Sequence, residues 1–169
     1  MYEFPEDPDE LFQYDAIVAF DPDWQAIDPA GIKLLEEWVD RQAGGLIVVA
    51  GPVYTSQWAG RRDADLNVDL VKGLYPVVFS KLGSSIDLGR FQADEPSPIE
   101  FSREGLEAEF LWLGDNAGES QHAWNGFEGV YGYYAVKDVK QGATVYARFI
   151  NNAEAIGDDI PVYLAGHFY

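Results

Sequence analysis

The chain has 169 residues, 47% of them hydrophobic and 15% aromatic, and its 29 acidic side chains outnumber 11 basic ones for a formal net charge of -18. That composition excludes a disordered acidic tail, which is poor in aromatic and branched apolar residues, and the length suits one domain at roughly 150 residues each. The charge repels phosphate, so nucleic acid and anionic membrane surfaces are excluded as partners.

Met1-Tyr2-Glu3-Phe4-Pro5-Glu6 is acidic where a secretory signal carries basic residues, so no leader is expected there. Tyr14-Asp15-Ala16-Ile17-Val18-Ala19-Phe20 reads as a strand that ends in the turn Asp21-Pro22-Asp23. Asp28-Pro29 supplies a helix cap and a proline at the first helical position. Ile32, Leu35, Trp38 and Val39 then share one helical face, with Glu37 placed to pair with Arg41. Gly44-Gly45 is the expected left-handed stop of this helix over 29–43. Leu46-Ile47-Val48-Val49-Ala50 is apolar at every position, the pattern of a parallel strand covered on both faces. It is the longest apolar run and far short of the roughly 20 residues that span a bilayer, so no direct membrane insertion is expected.

Strand, helix and strand in this order form a βαβ unit and predict an α/β sheet, with ligands expected outside the carboxyl ends of its strands, at Gly51-Pro52. Within residues 63–79, the stretch from Asp63 to Tyr75 reads as a further helix with an acidic start that runs into Pro76, its end left open. Beyond residue 80 the strand candidates are 98–101, 130–139, 143–150 and 160–168, and 106–113 is open between a short helix and a strand. The strand-like close at 160–169 suggests a piece of a larger protein.

The absence of cysteine removes disulfides, thiolate metal sites and thiol nucleophiles. With only His122 and His167, a three-histidine metal centre within the chain is excluded, and no cofactor is expected. Asp63-Ala64-Asp65-Leu66-Asn67 imitates a calcium loop, but Val68 and Leu74 stand where that loop needs glycine and glutamate. Asp21 and Asp23, at the end of the first strand, are candidates to hold a cation, to act as an acid/base pair or to form a turn. Arg61 and Arg62, beside Tyr54 and Trp58, are candidates to clamp a carboxylate or phosphate, or to pair with Asp63 or Asp65. Gly126, Gly129 and Gly132 lack nucleotide-binding spacing, and Ser120 sits in no nucleophile elbow. Trp38 belongs to the core by its helical spacing. Trp58 and Trp124, among polar and small neighbours, are the tryptophans expected at the surface.

The stretch from Tyr14 through Asp21-Pro22-Asp23-Trp24, the helix ending in Trp38-Val39, and Gly44-Gly45-Leu46-Ile47-Val48-Val49-Ala50-Gly51-Pro52-Val53-Tyr54 resemble the class I glutamine amidotransferase-like domains carried by large bacterial membrane proteins. Phe101-Ser102-Arg103-Glu104-Gly105, residues 124–134 and Gly142-Ala143-Thr144-Val145 resemble them too. The resemblance implies a flavodoxin-like three-layer sandwich with a mostly parallel central sheet, over a single domain 1–169 on the outer side of a membrane. It also implies a cysteine at the elbow, where this chain has Gly51 and Pro52, and a His-x-Glu partner, where His167 is followed by Phe168-Tyr169. The expectation is therefore a non-catalytic module whose partner is protein or the rest of its own polypeptide. The alternatives are a carbohydrate or small-ligand binder and a carboxylate-based hydrolase using Asp21 and Asp23. The candidate ligand-binding residues are Asp21, Asp23, Trp24, Gly51, Tyr54, Trp58, Arg61 and Arg62.

Overall fold

The computed structural model describes residues 4–59, 66–79, 95–132, 134, 136–150 and 162–168. Arg61, Arg62 and the acidic start at 63–65 lie outside the described residues. The chain is a mixed α/β protein with small sheets. It gathers into two compact units, Met1–Tyr75 and Pro76–Phe168.

The first unit contains α1 (Pro8–Leu11), β1 (Ala16–Phe20), a 3-10 turn (Trp24–Ala26), α2 (Pro29–Gln42), β2 (Gly45–Val49), α3 (Thr55–Trp58) and α4 (Leu66–Leu74). β1 and β2 are parallel neighbours in register from Ala16 opposite Gly45 to Phe20 opposite Val49. The crossover helix α2 begins as its sequence dictates. Asp28 accepts the Gly31 N–H at 2.6 Å, and Pro29 occupies a first-turn position where no N–H is needed. Its apolar face buries Ile32, Leu35 and Trp38.

The end of α2 corrects the expected glycine stop. Ala43, with φ 55°, takes the left-handed position, and Gly44 donates its N–H to the Trp38 carbonyl at 3.0 Å. Gly44 is needed for a different reason: a Cβ there would lie 2.1 Å from the Trp38 ring. Trp38 is thereby wedged under the turn, and its indole N–H donates to the Tyr14 carbonyl at 3.0 Å.

β2 also departs from expectation, because among the described residues only one face of the parallel pair is shielded. Alternate residues of a strand point to opposite faces. Ile17, Ala19, Leu46 and Val48 are half-buried on one side, while Val18, Phe20, Ile47 and Val49 on the other are between 43% and 74% exposed.

The second unit contains β3 (Val77–Phe79), β4 (Ile99–Phe101), α5 (Arg103–Glu107), a 3-10 turn (Glu109–Leu111), α6 (Ala117–Trp124), β5 (Val136–Val139), β6 (Thr144–Phe149) and β7 (Val162–Gly166). β3 pairs antiparallel with β5, and β4, β6 and β7 form an antiparallel sheet in that order. Val77, Val136 and Val162 form their common core, joined by Phe79, Val139, Val145 and Ala165. The mostly parallel central sheet that was expected is thus a single parallel pair among the described residues. Parallel neighbours need a crossover connection, usually a helix. The sequence supplies one long amphipathic helix for that purpose, between β1 and β2. No helix among the described residues is long and apolar enough to cross a membrane.

Candidate functional site

At the carboxyl ends of β1 and β2 the chain builds a small closed circuit around Asp21. The backbone after β1 turns there with φ 43° at Asp21, a left-handed value that aspartate tolerates better than most residues. One carboxylate oxygen accepts the Thr55 N–H and the Thr55 hydroxyl, both at 2.8 Å. The other accepts the N–H groups of Val53 at 2.8 Å and Tyr54 at 3.1 Å. Burial alone would raise the Asp21 carboxyl pKa, but the bonds from Thr55, Val53 and Tyr54 outweigh it and hold the group below its ordinary value. The Gly51 N–H in turn donates to the Thr55 hydroxyl oxygen at 3.3 Å.

Gly51 is glycine because of this carboxylate. A Cβ at Gly51 would lie 2.5 Å from the Asp21 Cβ and Cγ and 2.7 Å from one of its oxygens. The turn after β2 is thus latched by the chain's own anion. A carboxylate with four protein donors is committed to structure, and its lowered pKa disfavours proton uptake near neutrality.

The other candidates separate. Asp23 precedes the 3-10 turn but makes no capping bond to it. Trp24 is buried and donates its indole N–H to the Tyr75 hydroxyl at 3.1 Å. Trp58, expected at the surface, is 2% exposed and meets Tyr75 edge-on with ring centroids 5.4 Å apart. Tyr75 on α4's exit therefore gathers both tryptophans into the core of the first unit, and neither forms a sugar-stacking platform. Burial pushes the Tyr75 phenol far above its ordinary pKa; the Trp24 bond opposes that shift, and the charge of Asp21 adds to it. Tyr54 is exposed and held beside Asp21 by its backbone.

In the second unit sequence reasoning singled out Trp124 and Ser120 but passed over the residues around them. A cavity of about 270 Å³ opens between β4, α5 and α6, lined among others by Trp112, Trp124, Phe127, Gln121, Asn125 and Glu100. Its walls are fixed by internal bonds. The Trp124 indole N–H donates to the Leu111 carbonyl at 2.9 Å and that of Trp112 to the Leu106 carbonyl at 3.1 Å. Trp124 packs on Phe101 and Phe127, with ring centroids at 5.0 and 5.7 Å. Ser120 is buried and accepts the Leu113 N–H at 3.1 Å, which gives that hydroxyl a structural duty. α6 starts at Asn116, whose side chain accepts the Glu119 N–H at 3.0 Å. The legible signal was the spacing of Gln121, Trp124 and Asn125, which places one ring and two carboxamides on a single helix face. Among the described residues no three histidine, aspartate or glutamate side chains gather as a metal site.

Comparison with family models, with curated proteins and with solved structures found no match to this chain.

Proposed function

We propose that this chain is a non-catalytic interaction module, an amidotransferase-like α/β domain that has exchanged its nucleophile for a structural latch and works by docking to protein. The observation that carries this reading is the uncovered face of the parallel pair, where Val18, Phe20, Ile47 and Val49 stand exposed together. Parallel strands occur almost only where both faces are covered, and contiguous exposed apolar side chains mark interaction surfaces. The resemblance to a three-layer sandwich names the missing cover. It is a helical layer contributed by the rest of the same large polypeptide, on the outer side of a membrane. The latch supports the non-catalytic half of the reading, since Gly51 and Pro52 offer no nucleophile and Asp21 is spent on backbone donors.

The test is a photo-reactive amino acid at position 47 of the protein in its native host, with position 33 on the exposed side of α2 as the control. The expected result is one discrete adduct from position 47, mapped by mass spectrometry to an apolar segment of the same polypeptide, with none from position 33. The purified chain should also leave glutamine intact. Equal and diffuse labelling from both positions, or steady glutamine hydrolysis, would overturn the reading.

A further inference from the structure

We infer that the cavity of the second unit is a binding site for a single neutral pyranose ring. This site is independent of the sheet face on which the docking proposal rests. The lining combines the aromatic side chains of Phe101, Trp112, Trp124 and Phe127 with the carboxamides of Gln121 and Asn125 and the carboxylate of Glu100. Apolar walls with a few placed polar groups are the general composition of small-molecule sites.

The kind of polar group selects the ligand class. A carboxamide offers two donors and an acceptor, so it matches a hydroxyl, which both donates and accepts. The two carboxamides, Gln121 on α6 and Asn125 at its C-cap with helical backbone, sit about one helical turn apart on the same face. That repeat suits two hydroxyls on one sugar ring, while the C–H face of the ring suits the indoles. No hydrogen bond to the described residues engages either carboxamide, and both side chains are exposed. The indole N–H groups, by contrast, are already used to hold the rings in place. The site is thus rigid in its apolar part and available in its polar part, the arrangement that costs a ligand least on binding.

Charge narrows the class further. Among the described residues no lysine, arginine or histidine lines the cavity, while Glu100 does, in a chain of net charge -18. Uronates, sialic acids and sugar phosphates are therefore repelled, and a neutral sugar is favoured. The volume of about 270 Å³ lies at the small end for ligand sites, which fits one ring and leaves further rings outside. A ligand of this size on an open site is expected to bind with a dissociation constant of about 1 mM.

The experiment uses the whole chain with glucose, galactose, mannose, xylose and N-acetylglucosamine. Tryptophan fluorescence and saturation-transfer NMR are followed up to about fifty times the expected constant, with glucuronate and choline as charged controls. The proposal expects saturable binding of at least one neutral sugar and none of glucuronate. The double variant Gln121→Ala, Asn125→Ala should weaken that binding at least tenfold while its circular dichroism and thermal midpoint stay unchanged, because both side chains are exposed. Trp124→Phe, which keeps an apolar ring but loses the bond to Leu111, should weaken binding and lower the midpoint. The proposal is overturned if no neutral sugar saturates, if binding survives the double carboxamide variant, or if choline saturates where the sugars do not. The last result would assign the rings to a cation.

Discussion

The latch at Asp21 makes the sharpest prediction about this protein, because one carboxylate joins the end of β1 to the loop after β2 and its loss can be costed bond by bond. In Asp21→Ala the exposed N–H groups of Val53 and Tyr54 turn to water, so those two bonds count for little. The partly buried pair from Thr55 does not escape so easily. Hydrogen bonds to a charged group contribute roughly 1.5 kcal/mol each at the low end, so the variant is expected to lose about 3 kcal/mol. For a chain of this length that is a fall of about 6–12 °C in the thermal midpoint at pH 7. Asp21→Asn keeps one acceptor and tolerates the left-handed backbone, so it should fall about half as far.

The dependence on pH identifies the cause. Asp21 has a folded-state pKa held below that of the unfolded chain, so its contribution is complete above the unfolded value of about 3.9 and is lost as pH falls through the folded value. The gap between wild type and Asp21→Asn should stay constant from pH 7 to about 5 and close below about 4. Gly51→Ala supplies an orthogonal arm, since its new Cβ collides with the Asp21 Cβ and carboxylate and should cost about 1–3 kcal/mol. Asp21→Gly removes both colliding groups, so Gly51→Ala should cost at least 1 kcal/mol less in that background. Thermal and urea unfolding of the four proteins in the cycle, with Asp21→Ala and Asp21→Asn beside them, read all of this. A gap under about 2 °C at pH 7, a gap that persists unchanged at pH 2, or strict additivity of the cycle would refute the latch.

At the other end of the pH scale, Tyr75 is folded as a neutral phenol with a raised pKa, so its contribution is complete below about 10 and is lost as pH rises above the unfolded value. Tyr75→Phe should therefore be less stable at pH 7, having lost the Trp24 bond, yet resist alkali better, as judged from unfolding midpoints at pH 8 and pH 11. Trp38→Ala empties the site under the α2 turn and orphans the Tyr14 carbonyl, with an expected cost of about 3–5 kcal/mol in urea titrations. Phe20→Asp with Ile47→Asp alters exposed positions, so it should shift stability by no more than about 1 kcal/mol. The same pair should sharply reduce binding of a hydrophobic dye and abolish the adduct formed by a photo-reactive group at position 49.

What the sequence announced and what it concealed follow the range of the interactions involved. Asp28-Pro29, the face of Ile32, Leu35 and Trp38, and the apolar run of β2 are settled within a turn or two of chain, and each is found where periodicity and capping place it. Trp58 was misplaced because its neighbours Ser56 and Gln57 are polar, whereas its burial is decided by Tyr75, 17 positions on. α6 is only eight residues long with an internal Gly118, so its signals are short: the Asn116 cap with Glu119 and the spacing of Gln121, Trp124 and Asn125. The run 46–50 reads as covered on both faces because each of its residues is apolar, and composition cannot tell a face already covered from one awaiting its partner.

Gly51 shows how the same residue can carry two explanations with different consequences. In the family resemblance it is a relic of the sharp turn that displays a nucleophile, and its replacement should matter little once the nucleophile is gone. In the structure it is the only residue that leaves room for the Asp21 carboxylate, whose partners in the Thr55 turn lie 34 positions away. No local pattern connects those two sites, which is why Asp21 reads as a catalytic acid in one dimension and as a latch in three. The cost of Gly51→Ala therefore measures which of the two histories the fold still depends on. If the relic is all that remains, alanine is tolerated in every background; if the latch holds the elbow, alanine is tolerated only where Asp21 has given way to glycine.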